Sequence, residues 1–262
     1  MNHIIKKLFL IILAFFAFYT IPHCFAETSF ALISDIHAGR EKAYVTPRNK
    51  VKIYPSKAFG KFRSALKEIE SRGIKNVIIL GDLIEKKKRD VAFALKLKSE
   101  VSKHNLEMIW VTGNHDLNIP SNGSPKYFYQ DIDNYRVIVL NNNELGNPNV
   151  TGGISDEQYN WLLETIKTDK KIILAGHHPI FDYKTRMLLP NYERLKQIID
   201  SNLNIVAYLS GHWHESYITW DNGKEYHVVP PLTSKGYELW SPEGTQPAPT
   251  NPIFSTTSVS VF

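Results

Sequence analysis

Five short polar motifs in this sequence carry side chains that bind metal ions or move protons. In chain order they are Asp35-Ile36-His37, Gly81-Asp82, Gly113-Asn114-His115-Asp116, Gly176-His177-His178-Pro179 and Gly211-His212-Trp213-His214. Their donors are carboxylate, amide and imidazole groups, and none of the motifs contains a sulfur ligand. This set of oxygen and nitrogen donors suits Mn, Fe or Zn better than Cu(I) or an iron–sulfur cluster.

The spacing within two of the motifs places two donors two residues apart. Residues i and i+2 point to the same side on extended backbone, so Asp-x-His and His-x-His are each expected to aim two ligands at one region. The glycines before the motifs let the backbone turn tightly and keep side chains out of the way. Any one of these motifs alone is an ordinary surface turn or core histidine, whereas the ordered set of five is specific.

Each motif directly follows an apolar run that is predicted to be a buried strand. The runs are Phe30–Ser34, Val77–Leu80, Met108–Thr112, Ile172–Ala175 and Ile205–Ser210. Ligands in open α/β sheets gather at the carboxyl ends of the strands. We therefore expect the five motifs to converge on one place.

The rest of the chain supplies the elements that would position these motifs. Helical spacing predicts helices at Lys57–Ser71, Asp90–His104, Asp156–Thr168 and Tyr192–Ser201, the third with Ser155 as its N-cap. Further strands are predicted at Val137–Leu140, with Lys126–Gln130 as candidate partner, and in a hairpin of Tyr217–Trp220 and Glu225–Val229 around Asp221-Asn222-Gly223. The proline-rich segment Ser241–Pro252 is predicted to be an irregular loop. The predicted fold class is α/β, with two mixed β-sheets packed face to face and flanked by helices.

The first 26 residues have the pattern of a cleaved secretory signal peptide. Lys6 and Lys7 precede the apolar run Leu8–Thr20, and Cys24-Phe25-Ala26 supplies the small residues expected before cleavage at Glu27. The run has 13 residues, fewer than the about 20 that cross a bilayer, although an uncleaved anchor is the alternative. We therefore expect a periplasmic or secreted protein, with no membrane anchor after cleavage and a single mature domain, 27–262.

Composition and charge limit the classes of protein and partner. The 262 residues are 43% hydrophobic and 22% charged, as in soluble globular proteins. The net charge of +5 favours anionic partners such as phosphate esters. The basic run Lys86-Lys87-Lys88-Arg89 is interpreted as a solvated helix start rather than a nucleic-acid patch. The only cysteine is Cys24, so the mature chain would contain no disulfide.

Taken in order, the five motifs resemble those of the calcineurin-like metallophosphoesterases, and the match runs from Asp35 to His214. The resemblance implies two β-sheets sandwiched between helices and two transition-metal ions. It implies that one ion is held by Asp35, His37 and His214, the other by Asn114, His177 and His212, and that Asp82 bridges both. It further implies that His115 is the catalytic histidine and that Asp116 orients it. His178 matches no general ligand of the family and is expected just outside the ligand set.

The activity implied by this resemblance is hydrolysis of a small anionic phosphate ester by a metal-bound hydroxide, with His115 protonating the leaving oxygen or stabilising its charge. Glu85 stands where purple acid phosphatases have a tyrosine, and Glu85-Lys86-Lys87 stands where protein phosphatases have Asp-Arg-Gly. The pattern is therefore most similar to that of bacterial phosphoesterases, including cyclic-nucleotide phosphodiesterases. Phosphodiesterase and phosphomonoesterase both stay open.

Two segments of the chain are candidate substrate contacts. Arg40–Tyr54, with Arg40, Lys42 and Tyr44 nearest the first motif, either covers the mouth of the site or is a solvated surface loop. Tyr183–Pro190, with Arg186, is the second candidate.

Two other functions are alternatives to hydrolysis. A non-catalytic metal-binding interaction module is disfavoured because every motif position is filled. An enzyme of nucleic acids is permitted by the charge, but no dedicated nucleic-acid module is evident.

Overall fold

The apolar runs that precede the five motifs form strands in two different sheets. The computed structural model describes residues 28–85, 88–120, 123–147, 149–182, 184–185, 187–241 and 246–247. The strands are β1 (Phe30–Ile33), β2 (Tyr44–Val45), β3 (Lys52–Ile53), β4 (Asn76–Ile79), β5 (Glu107–Trp110), β6 (Phe128–Ile132), β7 (Tyr135–Val139), β8 (Lys171–Ala175), β9 (Phe181–Asp182), β10 (Met187–Leu188), β11 (Ile205–Ser210), β12 (Tyr217–Asp221), β13 (Lys224–Val228), β14 (Glu238–Trp240) and β15 (Gln246–Pro247). The helices are α1 (Ala58–Ser71), α2 (Val91–Val101), α3 (Asp156–Thr165), α4 (Glu193–Ser201) and α5 (Leu232–Lys235).

The two large sheets are both mixed, with parallel strands at their centres. The five-stranded sheet has the order β15-β14-β1-β4-β5, in which β1, β4 and β5 are parallel and β14 is antiparallel to β1. The six-stranded sheet has the order β12-β13-β11-β8-β7-β6, with β12 and β6 as antiparallel edges. The predicted fold class is therefore confirmed.

The alternation of side chains along the central strands explains how the sheets and helices stack in layers. In β1, Phe30 and Leu32 pack between the sheets, whereas Ala31 and Ile33 pack under α1 and α2. The opposite face of the six-stranded sheet packs against α3 and α4 in the same way. Successive strand residues point to opposite faces, so a strand that is apolar at every position must be covered on both sides. The result is a helix–sheet–sheet–helix stack.

Several predicted elements are confirmed and others needed correction. Ser155 caps α3, accepting a hydrogen bond from the backbone of Gln158 at 3.3 Å. Asn222 and Gly223 form the predicted hairpin turn, with φ of 48° and 71°, as a two-residue type I′ turn requires. Residues 40–54 are not a plain loop but contain the β2–β3 hairpin. Within 241–252, predicted to be irregular, residues 246–247 pair with β14.

Some predictions fall on segments that the structure does not describe. Residues 1–26, Lys86, Lys87 and most of 242–262 lie outside the described residues. Helix α2 begins at Val91, two residues after the basic run. Within the described parts of the chain, no helix is both long and apolar enough to cross a membrane. The signal peptide and the boundaries of the mature domain stay predictions.

Candidate metal centre

All five motifs lie at the carboxyl ends of parallel strands. Three follow β1, β4 and β5 of one sheet, and two follow β8 and β11 of the other. Hydrogen bonds join the loops: Asp35 N donates to the Gly81 carbonyl at 3.1 Å in one sheet and Gly211 N to the His177 carbonyl at 2.9 Å in the other, and His212 N donates to Asp35 Oδ2 at 3.0 Å between the sheets. The stacking of the sheets therefore brings motifs that are far apart in sequence to one edge.

One group of potential ligands consists of Asp35, His37 and His214. The His214 Nε2 atom lies 3.2 Å from Asp35 Oδ1 and 3.0 Å from His37 Nε2. The other carboxylate oxygen, Asp35 Oδ2, accepts from the Ser34 hydroxyl at 2.5 Å and from His212 N at 3.0 Å. Among the described residues Oδ1 accepts no hydrogen bond, although it is buried. A buried carboxylate oxygen left in this state fits a cation position.

A second group consists of Asp82, His177 and His212, with Asn114 beside them. The Asp82 Oδ2 atom lies 3.3 Å from His177 Nε2. The Asn114 Oδ1 atom lies 3.1 Å from His177 Nε2 and 3.0 Å from His212 Nδ1. Asp82 Oδ2 is also 3.7 Å from His37 Nε2 in the first group. One carboxylate thus joins two clusters of nitrogen and oxygen donors.

The backbone at these positions is left-handed, which corrects the expectation of extended backbone. Asp35, His37, Asp82, His212 and His214 have φ between 46° and 66°. Non-glycine residues rarely adopt this region, because it costs on the order of 1–3 kcal/mol for each residue. The conformation is kept only where the surrounding structure fixes it. The ligand pairs therefore converge because tight turns aim them, and not because strands continue through the motifs.

Two glycines are needed for this close packing. A Cβ atom at Gly113 would lie 2.2 Å from Asp82 Oδ1, and one at Gly211 would lie 2.6 Å from Asp35 Oδ2. Either would displace a carboxylate of the candidate site. The glycines keep side chains away from the donors, as the sequence indicated.

The electrostatic environment favours positive charge at His37 and His177, whereas burial and the neighbouring His177 lower the pKa of His212. Burial alone would lower the pKa of His37, but Asp35 and Glu85 raise it to about 10. Burial also opposes the charged form of His177, yet Asp82 raises its pKa to about 9. Burial would raise the pKa of Asp35, whereas His214 and His37 hold it well below the usual range. Carboxylates that hold protons on neighbouring histidines attract metal cations in the same way.

Two histidines, His177 and His115, each have a backbone carbonyl as partner on Nδ1. The Nδ1 atom of His177 lies 2.7 Å from the Leu80 carbonyl, and that of His115 lies 2.6 Å from the Glu85 carbonyl. A carbonyl accepts from N–H, so both rings carry the proton on Nδ1 and leave Nε2 for the site. His178, expected just outside the ligand set, has its Nδ1 3.2 Å from Asn142 Oδ1.

The carboxylate of Asp116 contacts backbone nitrogens of two loops. Its carboxylate accepts from the backbone nitrogens of Leu83 at 2.9 Å and Gly113 at 3.0 Å, and not from the ring of His115. Burial and the nearby Asp82 raise the pKa of Asp116 to about 7. Asp116 therefore fastens the Asp82 loop to the Asn114 loop, and the Glu85 carbonyl orients His115.

Glu85 is a residue whose contribution the motifs did not reveal. Its Oε2 atom lies 3.0 Å from His37 Nδ1 and accepts from the Tyr44 hydroxyl at 2.9 Å. A carboxylate on the distal nitrogen fixes the tautomer and orientation of a metal-binding histidine. The sequence signal for it was only a carboxylate three residues after Asp82.

Several of the donor side chains border a cavity of about 270 Å³. Its lining is His37, Tyr44, Thr46, Pro47, Arg48, Asn49, Asp82, Asn114, His115, Asn149, His212, Trp213 and His214. Of the candidate substrate segment 40–54, the hairpin tip and Tyr44 line the cavity, whereas Arg40 and Lys42 do not. In the second segment, Tyr183 and Arg186 lie outside the described residues.

Residues 28–216 match the sequence model of a protein family that is described as calcineurin-like phosphoesterase. This chain belongs to the calcineurin-like phosphoesterases. The match covers every motif from Asp35 to His214, so the chain is a phosphoester hydrolase. The family uses a dinuclear metal centre, and this calcineurin-like phosphoesterase has three overlapping groups of His and Asp side chains that could hold metal ions, two of which share Asp82.

Solved structures similar to this calcineurin-like phosphoesterase support the same fold. A dimetal phosphatase from Danio rerio has a TM-score of 0.68 and 16% identity, with 81% of this chain and 92% of that chain covered. TT1561 of Thermus thermophilus has a TM-score of 0.55 and 12% identity over 85% and 99% of the two chains. Purple acid phosphatase PPD1 from yellow lupin seeds has a TM-score of 0.57 and 12% identity over 86% and 46%. The comparison with curated proteins gives no match.

Proposed function

We propose that this phosphoesterase binds two transition-metal ions and hydrolyses small anionic phosphate esters. One ion would be held by Asp35, His37 and His214, the other by Asn114, His177 and His212, and Asp82 would bridge them. The observation that carries the proposal is the position of Asp82 Oδ2, 3.7 Å from His37 Nε2 and 3.3 Å from His177 Nε2. A metal pair of this kind supplies charge neutralisation at phosphate oxygens and activation of water.

The protein's own contribution is to orient the donors and to hold a proton at His115. The Glu85 carbonyl accepts from His115 Nδ1, so Nε2 is the atom that can transfer a proton. The pKa of His115 is lowered, chiefly by burial. A phosphate dianion bound beside the ring would favour its protonated form. Substrate binding would therefore place a proton where a departing alkoxide needs one.

Metal content and turnover together test this function. The mature protein is stripped with a chelator and reconstituted with Mn, Fe, Co or Zn. It is then assayed on phosphomonoesters, phosphodiesters, cyclic nucleotides and nucleotide diphosphates. We expect about two ions per chain and metal-dependent hydrolysis of at least one ester class. Full activity of protein shown to be metal-free would refute the mechanism, and bound metal with no turnover would favour an interaction module.

The screen also decides the subclass, since the motifs do not report the leaving group. Preference for cyclic nucleotides or other diesters would favour a phosphodiesterase. Preference for monoesters would favour a phosphomonoesterase. The choice of metal is read from the same reconstitution.

We propose that the enzyme acts outside the cytoplasm. The support is the sequence pattern of residues 1–26, in which an apolar run of 13 residues precedes small residues at a cleavage site. In a bacterial host, N-terminal sequencing of the exported protein is expected to begin at Glu27. Recovery of an intact Leu8–Thr20 segment in the membrane fraction would show an uncleaved anchor instead.

A further inference from the structure

The β2–β3 hairpin is fastened to the metal centre at both of its ends. At its base the Tyr44 hydroxyl donates to Glu85, at 2.9 Å. At its tip the Asn49 side chain donates to the carbonyl of Trp213, which lies between His212 and His214. Within the tip, Val51 N donates to Thr46 Oγ1 at 3.0 Å. The hairpin therefore forms a wall of the cavity that is held at its base and at its tip.

Arg48 is at the tip of this wall, with its flat face covered and its edge exposed. The guanidinium carbon lies 4.5 Å from the centre of the Trp213 ring, so the indole supports one face of the group. The side chain keeps 57% of its surface exposed. Its nearest carboxylate, Asp182 Oδ2, is 3.9 Å away, beyond hydrogen-bonding distance. Within the described residues, no hydrogen bond from the guanidinium is observed.

Arg48 lines the same cavity as the candidate ligands and His115. Five N–H donors in a planar fork match a carboxylate or a phosphate, and a stacked guanidinium is preorganised for that contact. The transferred phosphoryl group would be held by the metals and has no need of a cation at the mouth. A ligand for Arg48 would then be a different anionic group on the same substrate.

We propose that Arg48, supported by Trp213, is a subsite for a second anionic group on the leaving side of the substrate. The inference rests on the proposed function and names its substrate class: phosphate esters that carry another phosphate or a carboxylate beyond the scissile bond. Simple alkyl and aryl esters would react at the same centre without using this subsite.

The alternative is that Arg48 only packs the hairpin against Trp213, and a matched arginine tests it. Arg194 has its guanidinium carbon 3.7 Å from the centre of the Tyr159 ring, an ion pair with Asp156, and 54% of its side chain exposed. It is not among the residues that line the cavity. Arg194→Met thus removes an equivalent arrangement away from the candidate metal centre.

The experiment compares matched ester pairs on wild type, Arg48→Met, Arg48→Lys and Arg194→Met, all reconstituted with metal. Each pair is an alkyl phosphate and its ω-carboxy derivative, with two to six carbons between the groups, and alkane bisphosphates form a parallel series. Hydrogen bonds to charged groups imply a loss of about 10- to 100-fold in kcat/KM for Arg48→Met on the doubly anionic esters. We expect less than about threefold loss on the alkyl esters, an intermediate loss for Arg48→Lys, and no change for Arg194→Met.

The outcomes separate the subsite from the proposed function. Equal losses on both members of a pair would show that Arg48 only supports the hairpin, and a wild type without preference for the second charge would overturn the subsite. No hydrolysis of any ester by metal-loaded wild type would overturn the proposed function. The series with the larger Arg48-dependent effect identifies carboxylate or phosphate as the second group. Calorimetric binding of the corresponding phosphonates gives the same comparison without turnover, and equal affinities for the two phosphonates would also refute the subsite.

Discussion

Glu85 offers a sharp test of how the metal centre is organised, because its carboxylate touches a candidate ligand without facing the metals. The same oxygen, Oε2, lies 3.0 Å from His37 Nδ1 and 2.9 Å from the Tyr44 hydroxyl. Glu85→Gln retains an amide oxygen that can make both contacts, so it removes mainly the charge. Glu85→Ala removes the contacts altogether. Comparing the two variants separates charge from orientation.

The size of the effect follows from the role of such partners at metal sites. Loss of the group that orients a metal-binding histidine costs about 10- to 100-fold in metal affinity or activity, or about 1.4–2.7 kcal/mol. We expect Glu85→Ala near the upper end, because the His37 ring would be free to rotate away. Glu85→Gln should lie near the lower end. The carbonyl that orients His115 belongs to the backbone and is retained in both.

The assay is a competition titration of the apo protein with a metal-binding dye, with kcat/KM measured on the same samples. Glu100→Gln is the matched control: Glu100 is 4% exposed and Glu85 5%, and Glu100 also bonds two side chains, Arg63 at 2.9 Å and Lys103 at 2.8 Å. We expect it to change stability and not metal affinity. Folded Glu85 variants with wild-type metal affinity would refute the reasoning. Equal loss in Glu100→Gln would show a general effect of removing a buried carboxylate.

Three other predictions concern the bridge, the proton and stability. Asp82→Asn should weaken metal binding at least about tenfold more than His178→Asn, by elemental analysis and titration, since the Asp82 carboxylate lies beside His37 and His177, whereas His178 is no candidate ligand; equal losses would show that the ligand assignment is wrong. His115→Asn should reduce kcat/KM by about 10²–10⁴-fold on alkyl esters and far less on nitrophenyl esters, with metals retained; equal losses would argue for charge stabilisation instead. Burial alone would lower the pKa of His227, but Glu238, 2.5 Å away, and Glu225 raise it to about 9. Because the folded pKa exceeds the unfolded value of about 6.5, the resulting stability, on the order of 3 kcal/mol, is complete below that pH and lost as pH rises through 9. Chemical denaturation at several pH values should show this loss in wild type and not in His227→Gln, and parallel curves would contradict it.

Much of the fold is predictable from local sequence because its signals are local. Central strands such as β1 and β11 are apolar at nearly every position, which identifies strands buried on both faces. The cap at Ser155 and the Asn222-Gly223 turn follow from the chemistry of single residues. Short strands such as β2 and β14 were missed, because they form through pairing with distant partners rather than through their own pattern.

The sequence by itself determined which residue types follow which strands, and therefore the chemistry available at the sheet edge. Only the tertiary structure decided how the side chains are aimed. Left-handed backbone at Asp35 and His214 depends on loops packing against each other across two sheets, and no local propensity favours it. The contact of Arg48 with Trp213 joins residues 165 positions apart (213 − 48). Such contacts exist only once both sheets are stacked, which is why sequence spacing identified the donors but not the partners that orient them.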